Sequence, residues 1–199
     1  MKWYEAAADQ GCTKSLCNLG VMYIKGAENI PKNDVLAVKY LKKAVDGGDS
    51  TAALNLGKMC EVGRAGHKIG GESQDKRNAA ALNYIQIAAS GGHPGAQTKL
   101  GDCYSYGKYG LEEGNWKEAR KWYRTAARNG YNEACIKLGN MYVNGEGVPT
   151  NAKVAAKHYR VAAEKNDVEG MYLLGRTLCD GGGKLFFSNT FLICFTGTM

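Results

Sequence analysis

A leucine–glycine pair recurs five times along this chain, at Leu19-Gly20, Leu56-Gly57, Leu100-Gly101, Leu138-Gly139 and Leu174-Gly175. An apolar or aromatic residue stands three positions after each glycine, and another glycine three positions after that. The marker glycines are 37, 44, 38 and 36 residues apart, the period of a two-helix repeat. One such unit cannot bury its own apolar face, so neighbours must stack around a shared interior. The chain is thereby constrained to an elongated array, whose usual role is to present a surface to other macromolecules.

Each unit carries two helical patterns. In the fourth, Ala134, Leu138, Gly139 and Tyr142 are spaced to share one helix face. Glycine inside a helix costs roughly 1 kcal/mol against alanine, so its recurrence requires a reason. Close approach supplies one: without a Cβ, a neighbouring helix can seat a ring or backbone there. Gly145 then ends the helix. Val148-Pro149-Thr150-Asn151, echoed by Ile30-Pro31-Lys32-Asn33, leads into the second helix, with asparagine as its N-cap. The second helices carry Ala37, Leu41, Ala44 and Val45, then Ala119, Tyr123, Ala126 and Ala127, then Ala155, Tyr159, Ala162 and Ala163. Gly48, Gly92 and Gly130 close three of them, and Asn166 takes the same left-handed position later.

These motifs resemble the Sel-one-like repeat (SLR) family, relatives of the tetratricopeptide repeats. The pattern A-x-x-x-L-G-x-x-Y-x-x-G spans Ala96 to Gly107 and Ala134 to Gly145, and A-x-x-W-Y-x-x-A-A-x-x-G spans Ala119 to Gly130. The resemblance covers residues 2 to about 183 and implies an all-α fold, a right-handed α-solenoid of antiparallel helix pairs. Residues 1–183 are expected to form that solenoid, beginning mid-repeat at Trp3-Tyr4, with four full repeats and partial units at both ends. Such an array is expected to be a piece of a larger one. Residues 184–199 match no repeat and are expected to form a cap or a disordered tail.

The chain's 44% hydrophobic and 23% charged residues are those of a folded soluble protein. No block of consecutive Lys or Arg marks a nucleic-acid tract, and the net charge of +7 reads first as solubility. No nucleic-acid partner and no membrane insertion are expected, since the apolar stretch Leu185 to Phe195 is too short to span. The seven cysteines do not fall at repeating positions, unlike a disulfide-stapled repeat. With no leader pattern before Trp3, reduced thiols and a cytoplasmic location are expected. The alternative is a secretory-pathway lumen, should an upstream signal be missing.

Chemistry-bearing constellations are scarce. His67 lies in a long loop, His93 at a helix–helix junction, and His158 where other repeats carry Trp3 or Trp122. Cys60 with His67 could form a nucleophile–base pair only if a glycine-rich loop held them rigidly. Gly145-Glu146-Gly147 follows a helix rather than a strand, and Gly183-Lys184 lacks the rest of a phosphate loop. Glu112 and Glu113 read as a solvated turn. No metal site, cofactor or catalytic group is expected. An enzyme of the cysteine-rich, β-lactam-binding branch of the family is the alternative; that branch carries a regular cysteine pair in each repeat, which this chain lacks.

By the same resemblance, first helices line a concave face, and the residue after each marker glycine points into it. That series is Val21, Lys58, Asp102, Asn140 and Arg176, with Lys25, Tyr106, Asn144 and Asp180 one turn further on. Lys58, Asp102, Tyr106, Asn140, Asn144 and Arg176 are the candidate protein-binding residues, suited to an extended peptide that needs partners at regular intervals. The long loop from Arg64 to Arg77 is a second candidate. The expected function is a non-catalytic scaffold or adaptor for a protein or extended peptide. If Leu138 is a core residue, Leu138→Ala should cost about 2–5 kcal/mol, read from denaturant unfolding; an unchanged midpoint would place Leu138 outside the core.

Overall fold

The structure is a computed structural model and describes residues 1–26, 30–65 and 73–180. Among these residues there are ten α-helices and no strand. They are α1 Lys2–Asp9, α2 Thr13–Lys25, α3 Asp34–Asp46, α4 Ser50–Glu61 and α5 Gln74–Ser90. These are followed by α6 Pro94–Tyr106, α7 Trp116–Arg128, α8 Asn132–Asn144, α9 Ala152–Ala163 and α10 Val168–Asp180. A short 3₁₀ turn, Lys108–Gly110, follows α6. Each first helix from α2 to α8 packs against the second helix after it, and that second helix packs against the next first helix. The array is a solenoid of paired helices, as the period requires. The expected tail, 184–199, and His67 lie outside the described residues.

The junctions follow from their residues. Asn33 and Asn151 accept the backbone N–H of Leu36 (3.0 Å) and Val154 (3.1 Å) and so cap α3 and α9. Gly48, Gly92 and Gly130 have φ of 87°, 85° and 79°, and Asn166 joins them at 60°. The residue after each of the four immediately precedes the following first helix, and of these Tyr131 makes no side-chain cap bond. Asp49 and Asp167 cap their helices with a carboxylate oxygen, and His93 with Nδ1, which accepts the Ala96 N–H at 3.2 Å. His93 is thus an N-cap, which explains a histidine at a helix junction.

The core confirms the helix faces read from the spacing. Ala134, Leu138, Ala155, Tyr159 and Ala162 are buried, as are Ala37, Leu41, Ala44, Ala119, Tyr123 and Ala126. The marker glycines sit where consecutive helices come closest. A Cβ on Gly20 would stand 2.5 Å from the Leu41 side chain, and one on Gly101 2.5 Å from the Tyr123 ring. A Cβ on Gly139 would overlap the Tyr159 ring, and one on Gly57 would press Ile85 at 3.2 Å. Gly175 meets nothing within 4 Å among the described residues.

This contrast makes the glycines testable. Tyr159 is fully buried, so its ring cannot swing away from an added methyl. Gly139→Ala should lower the melting midpoint: overpacking costs about 1–3 kcal/mol, against a helix-propensity gain of about 1 kcal/mol. Gly175→Ala should leave the midpoint unchanged or raise it. Equal effects at the two positions would show that close approach is not why the glycines recur.

Candidate protein-binding groove

The groove residues stand on successive first helices, and the packing just described decides how each is presented. Lys58 on α4 and Arg176 on α10 are exposed. Arg176 lies 5.9 Å from the Tyr172 ring centroid, one turn back on its own helix. Tyr106 is half exposed at the end of α6, with the Lys108 and Lys137 ammoniums 5.9 and 5.8 Å from its ring. Asn144 is exposed at the end of α8 and donates through Nδ2 to Glu146 Oε1 at 3.2 Å. Val21 is half-buried and Lys25 exposed on α2. The Asp180 side chain lies outside the described residues.

Asp102 and Asn140 are held from behind. The Tyr123 hydroxyl donates to Asp102 Oδ1 at 2.7 Å, and the Tyr159 hydroxyl donates to Asn140 Oδ1 at 2.6 Å. These are the two tyrosines that fill the spaces over Gly101 and Gly139, so one residue both packs the hairpin and orients a candidate binding side chain. Burial, reinforced by the bond to Asp102, raises the Tyr123 pKa. Its single proton goes to the carboxylate, so Ser105 Oγ, 3.1 Å away, donates to the phenol oxygen. Units one and two carry Leu41 and Ile85 at the tyrosine position and make no such bond.

A second row of contacts ties first helix to first helix. Lys137 Nζ on α8 reaches Asp102 Oδ1 on α6 at 3.0 Å, and Lys99 Nζ on α6 reaches Glu61 Oε2 on α4 at 2.8 Å. Burial alone would depress the Lys137 ammonium, but its bond to Asp102 and that carboxylate's charge outweigh this and raise its pKa. Asp102, Lys137 and Tyr106 thus form one cluster. No hydrogen bond, ion pair or ring contact joins Lys58 or Arg176 to it among the described residues. The lysines were not singled out from the sequence, although both stand directly before a marker pair, as Lys99-Leu100-Gly101 and Lys137-Leu138-Gly139.

The long loop yields less, because residues 66–72 lie outside the described set. Its first residue, Arg64, donates through Nε and an Nη to both carboxylate oxygens of Asp34, at 3.0 and 2.6 Å. It thereby anchors the end of the second unit on the first. Among the described residues no group of three His, Cys, Asp or Glu could hold a metal ion. None of the six described cysteines is in a disulfide; burial pushes Cys17 and Cys103 up to about 11. No described helix is long and apolar enough to cross a membrane.

The repeat period and the stacked helix pairs together define a helical-repeat solenoid protein. The Sel1 repeat model matches residues 1–12, 13–49, 50–93, 94–131 and 132–167, so the chain belongs to the Sel1 repeat family. No curated protein matches it. Among solved structures it is similar to a protective antigen present in uropathogenic Escherichia coli strains that displays an SLR fold. Identity is 32% over 91% of this chain and 36% of the antigen, with a TM-score of 0.76. The chain therefore spans about a third of that protein's length. It is also similar to a Sel1 repeat protein from Oxalobacter formigenes, at 29% identity over 91% of this chain and 68% of that one, TM-score 0.72. An immunity protein from Pseudomonas aeruginosa, 21% identical over 92% of this chain and 74% of that one, TM-score 0.57, shares the fold.

The Lys137–Asp102 pair has a pH signature. The folded chain holds the Lys137 pKa above its ordinary 10.5. The pair's stabilisation is therefore complete below about pH 10 and lost as pH rises through the folded value. Lys137→Gln should lower stability at pH 8, and the gap to the parent should narrow as pH is raised beyond 10.5. A gap constant across that range, measured by denaturant unfolding, would show that the pair does not act as an ion pair.

Proposed function

We propose that the chain is a non-catalytic scaffold that holds a protein partner along its first-helix groove. An extended segment of that partner lies across Lys58, Asp102, Tyr106, Asn140, Asn144 and Arg176. Sel1 repeat proteins are generally protein-interaction scaffolds, and membership of that family supports the coarse reading. The observation that carries the finer one is the pair of tyrosine hydroxyls behind Asp102 and Asn140. With its Oδ1 engaged, Asn140 keeps Nδ2, a double donor, for a partner; a backbone carbonyl is its natural acceptor. A side chain locked in this way loses little rotamer entropy on binding, which favours affinity.

The test uses the full chain. Partners captured on it are titrated by calorimetry against the parent, Lys58→Glu/Arg176→Glu and Tyr106→Ala/Asn144→Ala. Each pair should weaken binding by about tenfold or more, corresponding to about 1.4 kcal/mol. Affinity unchanged in both variants removes the groove from the function.

A further inference from the structure

The chain's positive charge is not spread over the solenoid. Lys117, Arg120, Lys121, Arg124 and Arg128 lie on α7, and Lys153, Lys157 and Arg160 on α9. Glu118 is the sole acidic residue on either helix. Eight of the 26 basic and one of the 19 acidic residues thus stand on these two helices. That difference equals the whole formal excess of +7, and the remaining chain is balanced at 18 of each sign. The second helix α3 shows the contrast: its Lys39, Lys42 and Lys43 are accompanied by Asp34 and Asp46.

Seven of these eight cations are also unpaired among the described residues. Lys121 reaches Glu118 at 3.5 Å, and no other ion pair involves the eight among the described residues. The buried side of α7 is Ala119, Tyr123 and Ala126, so the cations occupy the side turned away from the core. Like charges four residues apart on a helix repel by a few tenths of a kcal/mol each, and among the described residues only the Glu118–Lys121 pair offsets it. Between α7 and the α8–α9 connection is a cleft of about 360 Å³ lined by all five α7 cations, Thr125 and Gly147. Glu146 adjoins it but is engaged by Asn144.

We propose that this second-helix surface is a docking site, separate from the groove, for an acidic, extended protein segment. Arg120, Arg124 and Arg128 repeat every four residues, about 6 Å along the helix axis. Alternate carboxylates on an extended chain are about 6.6 Å apart, and each guanidinium can take one in a forked pair. No aromatic ring lines the cleft, so the stacking platform of single-stranded nucleic-acid sites is missing. His158 on α9 provides a local reporter. Burial, then the charges of Arg124 and Arg120, hold its pKa below 6.5, so an anion seated on those arginines raises it.

The experiment titrates the full chain with a fluorescent peptide alternating glutamate and serine, its glutamine counterpart, and mixed-sequence single- and double-stranded DNA. The glutamate peptide should bind, the glutamine peptide should not, and affinity should fall as salt rises. Arg120→Glu/Arg124→Glu/Arg128→Glu should weaken binding by about tenfold or more. Lys39→Glu/Lys42→Glu/Lys43→Glu changes net charge equally and should stay within about twofold, because α3 is not the docking face. The His158 titration, followed by NMR on the unaltered chain, should move up when the peptide is present, and it decides the matter if the α7 variant does not fold. Absence of binding, equal loss in both triple variants, an unmoved His158, or DNA bound more tightly than the peptide would each overturn the proposal.

Discussion

The described solenoid is spaced by the contact between a glycine on each of α2, α4, α6 and α8 and a large side chain on the second helix that follows. Gly20 receives Leu41, Gly57 Ile85, Gly101 Tyr123 and Gly139 Tyr159. A mid-helix glycine costs about 1 kcal/mol, while full burial of such a side chain stabilises by about 1.5–3 kcal/mol. The exchange is favourable in every hairpin. It also fixes how near the two helix axes lie, and hence how the following first helix can dock. The interior alanines, Ala37, Ala44, Ala81, Ala88, Ala119, Ala126, Ala155 and Ala162, are what that spacing demands on the second helices.

From this contact the two surfaces acquire different characters. Where the seated residue is tyrosine, its hydroxyl emerges on the first-helix side and fixes Asp102 or Asn140. Where it is leucine or isoleucine the groove has no such support, so units three and four carry the organised part of the surface. Lys99 and Lys137 then bridge successive first helices, which couples the orientation of one unit to the next. The opposite side is free of these demands, and there the charge of α7 and α9 meets only the Glu118 carboxylate among the described residues.

Much of this was legible because it is periodic and local. Asn33 and Asn151 as caps, Gly48, Gly92, Gly130 and Asn166 as left-handed closures, and Leu138 and Tyr159 as core residues all follow from spacing and backbone preference. His93 as a cap could have been read from its place after Gly92, parallel to Asp49 after Gly48. The six candidate residues were legible as first-helix positions but not as states. Asp102 and Asn140 looked as available as Lys58 and Arg176, and they are the two engaged from behind.

What the sequence determined by itself is the array: a hydrophobic pattern with a period near 37 admits only stacked helical pairs, and glycine at one point of that pattern admits only close approach. What tertiary structure decided is the choice of partners. Tyr159 and Asn140 are 19 residues apart and Lys137 and Asp102 are 35 apart, on separate helices. Their bonds depend on helix separation and rotation, to which a hydrogen bond responds within fractions of an ångström. Burial tolerates far looser placement, so a repeating pattern can announce a core while leaving unsaid which polar atoms will meet across it.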